Sequence, residues 1–256
     1  MQENTRSMSR WRASLIHLGI SSLIATTVVS AMLLVWYPTP FFAAMGGSHL
    51  VTILVCVDVV LGPMITLIIF TPGKSLKALR FDFAVIGLVQ LTALAYGVYV
   101  VAEARPAYMV FTVDRFDLVA ANQIREEELA KVKRPEFAAI PLGGPRTVAV
   151  TSPTDPNEQL RVIDSALGGA DLQTFPQYYV PYDQLAAQAL KRAKPLAALR
   201  KHDPASAAEI DRAIAKAGKP EADLAYLPLK GRSRVYSVVL DAKNGAILGF
   251  AEVNPW

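Results

Sequence analysis

A single carboxylate, Asp58, interrupts an otherwise apolar run from Leu50 to Phe70, and this run is one of three near the N-terminus. A helix rises about 1.5 Å per residue and the hydrocarbon core of a bilayer is about 30 Å thick, so each run can span it. A carboxylate at the centre of such a helix costs roughly 2.5–3.5 kcal/mol on insertion scales. The sequence therefore predicts a membrane protein and marks Asp58 as a candidate functional residue.

The apolar runs define a predicted membrane domain at residues 1–104. Its three transmembrane helices are expected at about 13–37, 49–71 and 83–102. A cleavable signal peptide is the alternative for the first run, which however exceeds the usual ~7–15 apolar residues of such a peptide. We therefore interpret the first run as a retained anchor.

The orientation of the helices follows from their basic flanks. Three arginines precede the first helix, and Lys74, Lys77 and Arg80 lie between the second and the third, whereas residues 38–48 contain neither Lys nor Arg. Short loops that are rich in Lys and Arg stay in the cytoplasm. We expect a cytoplasmic N-terminus, and with three spans the domain at residues 105–256 then lies outside, in the periplasm if the cell is Gram-negative.

Asp58 lies nine residues into the second predicted helix, near the bilayer midplane, and Gln90 in the third helix reaches nearly the same depth. One interpretation is structural: Asp58 hydrogen-bonds Gln90 or a hydroxyl group of the first helix and joins the bundle. A second is a polar contact to a transmembrane helix of another protein, and a third is a proton or ion pathway. Gly62 and Pro63 follow, and the missing proline N–H predicts a kink beside Asp58.

Residues 105–256 are predicted to form an α+β domain with a small antiparallel sheet that is covered on one side by helices. Strands are expected at 107–119 and 146–151 and in a C-terminal hairpin at 234–253, whose turn contains Asn-Gly. Helices are expected at 124–133, at 156–167 behind an Asp-Pro start, at 182–201 with a kink or division at Pro195, and at 203–217.

Sequence patterns that carry chemistry are missing. The chain has no G-x-S-x-G, P-loop or G-x-G-x-x-G motif, and its three histidines lack a His or Cys at metal-ligand spacing. Residues 105–256 contain 20 Lys and Arg against 18 Asp and Glu, so this part is nearly neutral and nucleic-acid binding is not expected. We expect no enzymatic activity, no metal and no cofactor. Tyr178, Tyr179 and Tyr182 form the most aromatic loop, which fits core packing or a partner-facing patch.

Several motifs resemble one known family. These motifs are Val57–Pro63 (VDVVLGP), Phe70–Lys74 (FTPGK), Trp36–Pro38, Gly46-Gly47, Ala104–Pro106, Phe111–Phe116 and the hairpin at Val239–Gly249. The chain resembles the TfpX/TfpZ-type type IV pilin accessory proteins from about Met8, an alternative start to Met1, to Asn254. The resemblance implies an inner-membrane protein, not an enzyme, that assists production or surface assembly of a cognate major pilin.

Two functional hypotheses follow. In the first, the chain is a chaperone-like binding protein that holds a major pilin, and possible contact residues are Asp58, Gly62, Pro63, Gln90, Tyr178, Tyr179 and Tyr182. In the second, it is a membrane-bound sensor or modulator with an extracytoplasmic ligand-binding domain. The loop at 72–82 and the short N-terminus are too small for a cytoplasmic output domain, which favours the first hypothesis.

Overall fold

The computed structural model of the chain describes residues 9–71 and 74–256. The alternative start at Met8, the basic residue Arg6 and the Pro72-Gly73 pair of the FTPGK motif lie outside these residues. The chain separates into two compact units. One contains the N-terminal residues as far as Leu34 together with Gly47–Ala102, and the other contains Val35–Gly46 with Glu103–Trp256.

The first unit is helical and contains three helices that are long and apolar enough to cross a membrane, with 26, 23 and 27 residues. In chain order its elements are α1 (Arg10–Val35), α3 (Gly47–Val55), a π-helical segment (Cys56–Leu61), α4 (Gly62–Ile69) and α5 (Leu76–Glu103), while the short α2 (Phe41–Ala44) belongs to the second unit. Large apolar side chains are exposed on every one of the three, such as Leu23, Ile68 and Leu88 at 70%, 77% and 68% exposure. Such surfaces suit contact with lipid or with other helices.

The second unit contains five further helices and eight strands among the described residues. The helices are α6 (Glu126–Leu129), α7 (Pro156–Leu167), α8 (Ala186–Arg192), α9 (Leu196–His202) and α10 (Ala207–Ala217). The strands are β1 (Pro106–Phe111), β2 (Phe116–Ala120), β3 (Arg146–Val150), β4 (Tyr179–Pro181), β5 (Lys194–Pro195), β6 (Leu224–Lys230), β7 (Val235–Asp241) and β8 (Ile247–Ala251).

All the strands belong to one mixed sheet, so the prediction of a simply antiparallel sheet is wrong. The order is β4-β3-β1-β2-β6-β7-β8, with β5 added beside β6. Two neighbouring pairs, β1 with β3 and β2 with β6, are parallel. Parallel neighbours need crossover connections of a dozen or more residues, and the segments 112–145, between β1 and β3, and 121–223, between β2 and β6, supply them. The α+β class of the unit agrees with the prediction.

The single strand predicted at 107–119 is instead a hairpin. Thr112 and Arg115 close its turn, because the Thr112 amide donates to the Arg115 carbonyl at 2.9 Å. The Thr112 hydroxyl also donates to the buried Asp117 carboxylate at 3.0 Å. Every residue of β1 and β2 is buried, so the centre of the sheet is covered on both faces rather than on one.

The predicted helix at 182–201 is divided into α8 and α9. Pro195 forms the short strand β5 with Lys194 and begins the next helix, because proline cannot continue a helix but suits its N-terminus. The predicted helix at 124–133 shrinks to the single turn of α6. Helix α7 begins as predicted, with the Asp155 carboxylate accepting from the Asn157 and Glu158 amides at 2.9 and 3.0 Å.

Two apolar cores hold this unit together. One packs Tyr108, Phe137 and Tyr179 under β1 and β3, and the other packs Leu199 and Ile210 of the helices against β6 and β7. The α2 segment joins the second unit through backbone contacts. The Ala44 carbonyl accepts from Ser233 N at 2.9 Å, and Gly231 lies so close to Ala44 that a Cβ atom there would overlap this carbonyl.

Candidate functional site

Asp58 lies in the π-helical segment Cys56–Leu61, and its side chain is only 6% exposed. An α-helix would require Pro63 to donate to the Val59 carbonyl, but proline has no N–H and its ring clashes with that carbonyl. A π-helical turn relieves the conflict by shifting the hydrogen-bond register by one residue. The sequence predicted a kink beside Asp58, and the structure shows this wider turn, which sets the direction of the Asp58 side chain.

Gly62 and Gln90 bring α4 and α5 together beside Asp58. A Cβ atom on Gly62 would overlap the Gln90 amide group, so only glycine permits the observed approach. The Gln90 Nε2 atom donates to the backbone carbonyl of Asp58 at 3.4 Å, a long hydrogen bond. Asp58, Gly62, Pro63 and Gln90 therefore form one cluster, but Gln90 contacts the main chain of Asp58 and not its carboxylate.

Helix α1 contributes polar contacts that the sequence analysis missed. The Ser14 hydroxyl donates to the Pro63 carbonyl at 2.9 Å, and His17 Nδ1 lies 2.6 Å from the hydroxyl of the fully buried Thr66. These bonds fasten α1 to α4 on the far side of Pro63 from Asp58. A polar residue within each of two apolar runs is the sequence signal for a hydrogen bond between two membrane helices. Which residues face each other depends on how the helices are aligned, and neither run alone shows this.

The Asp58 carboxylate faces open space between helices. A groove of about 230 Å³ is lined by Asp58, Gln90, His17 and the buried Ser21, with Gly87 and Leu91 among its other walls. Asp58 also lines a second groove of about 240 Å³ with Ile53, Tyr96 and Gly97. Within the described parts of the chain, no hydrogen bond or ion pair reaches the Asp58 carboxylate. A buried carboxylate without a partner is costly and is the group in this unit most in need of one.

Tyr178, Tyr179 and Tyr182 belong to the second unit, whereas the Asp58 cluster belongs to the first. Tyr179 is 1% exposed and packs on Tyr108 with ring centroids 5.0 Å apart. The Tyr178 hydroxyl donates to Glu158 at 2.5 Å, and the Tyr182 hydroxyl donates to the Gly245 carbonyl at 2.8 Å. Each ring therefore serves contacts within its own unit. Among residues 9–71 and 74–256, no group of three His, Cys, Asp or Glu side chains is placed to hold a metal ion.

Comparison with known proteins connects the chain to one family. A family model described as fimbrial assembly protein FimB matches residues 5–46. Two proteins of Dichelobacter nodosus, the fimbrial assembly proteins of serogroup I and of serogroup E1, are each 32% identical over 241 residues, covering 93% of this chain and 93% of theirs. The chain belongs to the fimbrial assembly protein FimB family.

A further relative, the fimbrial assembly protein of Dichelobacter nodosus serogroups C1 and C2, is 35% identical over 114 residues, which are 44% of this chain and 87% of that protein. The two longer relatives extend across both units, so the similarity includes the helical unit and the mixed sheet alike. No solved structure matches the chain.

Proposed function

We propose that this protein assists the assembly of type IV fimbriae by holding a cognate major pilin in the bacterial inner membrane, as a TfpX/TfpZ-type accessory protein without enzymatic activity. Its relatives are named fimbrial assembly proteins, which supports a role in pilus assembly. The resemblance of Val57–Pro63 to the accessory-protein motif supports the finer assignment.

The observation that carries the proposal is the buried Asp58 carboxylate that faces a groove and has no partner in the described chain. In hydrocarbon such a group gains more from a donor than it would in water. The partner is a pilin transmembrane helix that presents a cation or a hydrogen-bond donor at the depth of Asp58. The exposed apolar side chains around the groove, such as Leu91 and Ile20 at 61% and 54% exposure, contact the apolar sides of that helix.

Gly62 and Pro63 act on this contact indirectly. Pro63 imposes the π-helical turn that directs Asp58 into the groove, and Gly62 admits the Gln90 amide beside it. In this proposal the Asp58 side chain binds the partner, whereas Gly62, Pro63 and Gln90 position it. The N-terminus lies in the cytoplasm and the second unit in the periplasm, where the latter contacts the pilin head.

The test is co-purification of the major pilin with the tagged full-length chain from gently solubilised membranes. Asp58→Asn keeps the shape of the side chain and removes its charge, and we expect it to reduce the pilin that is recovered by roughly three- to tenfold. Asp82→Asn is the matched control, because Asp82 lies in the same unit and already pairs with Lys74 at 2.6 Å. Equal recovery with both variants would refute the role of Asp58, and absence of pilin from the wild-type sample would refute the proposed function.

A further inference from the structure

Helix α7 turns its apolar side chains toward solvent. Leu160, Ile163 and Leu167 recur at helical spacing on one face and are 65%, 60% and 87% exposed. Only Val162 of this helix is buried. A surface helix normally buries its apolar stripe and exposes its polar face. Helix α7 does the reverse, since its polar face packs on the unit and its apolar face points to solvent. We call the three residues the α7 stripe.

Charged groups hold α7 in this orientation. Arg161, on its inner face, contacts Glu128 at 2.8 Å and Glu158 at 2.8 Å. Glu128 is only 2% exposed and also accepts from Lys131 at 3.0 Å and from Gln177 at 2.6 Å. The Arg161 guanidinium further lies 5.3 Å from the centre of the Phe175 ring, within the range of a cation–π contact. Because these polar contacts fix the helix, the α7 stripe is presented in an ordered position.

The charge beside the α7 stripe selects among possible occupants. Asp164 is exposed, lies roughly 40° from Leu160 around the helix, and has no ion-pair partner in the described chain. Of the other carboxylates of the segment, Asp155 caps the N-terminus and Glu158 pairs with Arg161, which is the only cation of the helix and also contacts Glu128. An anionic bilayer surface would repel this arrangement, since helices that lie on membranes carry Lys and Arg on their polar face.

Self-association is also disfavoured by Asp164. When two copies of α7 pack antiparallel through the α7 stripe, the two-fold axis passes beside positions 163 and 164. Both Asp164 carboxylates then lie on the same edge of the interface, a few ångströms apart, and like charges in that position repel. The remaining occupant is a different protein whose apolar surface carries a Lys or Arg at its edge.

We infer that the α7 stripe binds the soluble head of the same fimbrial subunit whose membrane helix meets Asp58, with a basic residue of the head beside Asp164. This inference rests on the proposed function and adds the second point of contact. A helix face with two or three aliphatic anchors and one charge at its rim matches the helix-in-groove mode of protein recognition. The contact area is small, so the head alone binds weakly and the membrane contact adds avidity.

The test uses the full-length chain in detergent micelles and the soluble head of the cognate major pilin, without its membrane helix, as the probe. We expect the head to bind, and the double variant Leu160→Ser/Ile163→Ser to weaken binding by about tenfold or more. Asp164→Lys weakens it as well and reduces its dependence on salt. The matched control is Val113→Ser/Leu142→Ser, which removes two other exposed apolar side chains of the same unit, 64% and 80% exposed, and leaves binding unchanged.

A photo-crosslinking residue at position 167 of an otherwise native chain provides the second measurement, which does not depend on the folding of a variant. A crosslink to the pilin head supports the inference. A crosslink to a second copy or to lipid, or failure of the head to bind the wild-type chain, overturns it. If the stripe variant retains full-length pilin as well as the wild type does while Asp58→Asn loses it, this inference fails and the proposed function stands.

Discussion

Individual polar residues of the helical unit differ in how their hydrogen-bonding needs are met. Thr66 is fully buried but shares a hydrogen bond with His17, and Ser14 donates to the carbonyl of Pro63. Asp58 is nearly as buried, yet its carboxylate has no partner among the described residues. Thr66 and Ser14 therefore stabilise the bundle through contacts within it, whereas we expect Asp58 to gain its stabilisation from a group outside the bundle.

At the same scale, the close approach of Gly62 to Gln90 can be tested by a double-mutant cycle. Gly62→Ala places a methyl group where the Gln90 amide lies, and the flexible Gln90 side chain must leave Asp58. We expect a loss of about 1 kcal/mol in the free energy of unfolding, and a smaller loss when Gln90→Ala is already present. Thermal unfolding of the detergent-solubilised chain gives both values.

The control for this cycle is Gly19→Ala. Gly19 also lies in a helix of the first unit, but a Cβ atom there meets nothing within 4 Å. Alanine favours helix more than glycine, so this change should be neutral or slightly stabilising. Additive effects of Gly62→Ala and Gln90→Ala would contradict the packing described here.

At the scale of elements, the sequence predicted best the segments whose ends carry local signals. The Asp155-Pro156 start of α7 and the Asn-Gly turn before β8 are examples, because capping and turn geometry depend on near neighbours. Strand β6 was not predicted, since Pro228 interrupts its pattern. The structure tolerates this proline because neither strand on that edge of β6 pairs with it. Strand β5 pairs with β6 only as far as Tyr226, and the pairing of β2 with β6 begins at Leu229.

The ionic contact that attaches α6 to α7 should make the second unit sensitive to acid. Burial raises the pKa of Glu128, but hydrogen bonds from Lys131, Arg161 and Gln177 outweigh it, and the pKa lies below its usual value of 4.5. The folded state therefore keeps this carboxylate ionised where the unfolded chain takes up a proton. Its contribution to stability is present above pH 4.5 and is lost as the pH falls through the lowered pKa.

Glu128→Gln should accordingly lower the free energy of unfolding by roughly 1.5–3 kcal/mol at pH 7, and the difference from the wild type should shrink at acid pH. Thermal unfolding between pH 7 and pH 3, followed by tyrosine fluorescence, measures it. Glu127→Gln is the control, because the neighbouring Glu127 side chain is 63% exposed. A gap between wild type and Glu128→Gln that stays constant with pH would show that the charge of Glu128 is not the stabilising feature.

For the whole molecule, composition alone separated an apolar N-terminal part from an ordinary soluble part, since long apolar runs are visible without knowledge of packing. It did not show that residues 35–46 belong with the second unit. That assignment depends on tertiary contacts, such as the Phe41 and Phe250 rings with centroids 5.3 Å apart, between residues far apart in sequence. The groove beside Asp58 could not be predicted from the sequence for the same reason, because its walls come from three different helices.

The orientation of the whole molecule is the last prediction, and cysteine labelling tests it. Cys56 is the sole cysteine in the sequence, so Cys56→Ser provides a background without thiols. Into it we place one cysteine at a time, Lys77→Cys at the start of α5 or Lys243→Cys in the turn before β8. Lys77 lies in a basic segment, which favours the cytoplasm.

A thiol reagent that passes the outer but not the inner membrane should label position 243 in intact cells, and position 77 only after lysis. The reverse pattern would place the second unit in the cytoplasm, where it could not contact a pilin head. Labelling of both positions in intact cells would mean that the three helices do not all cross the membrane.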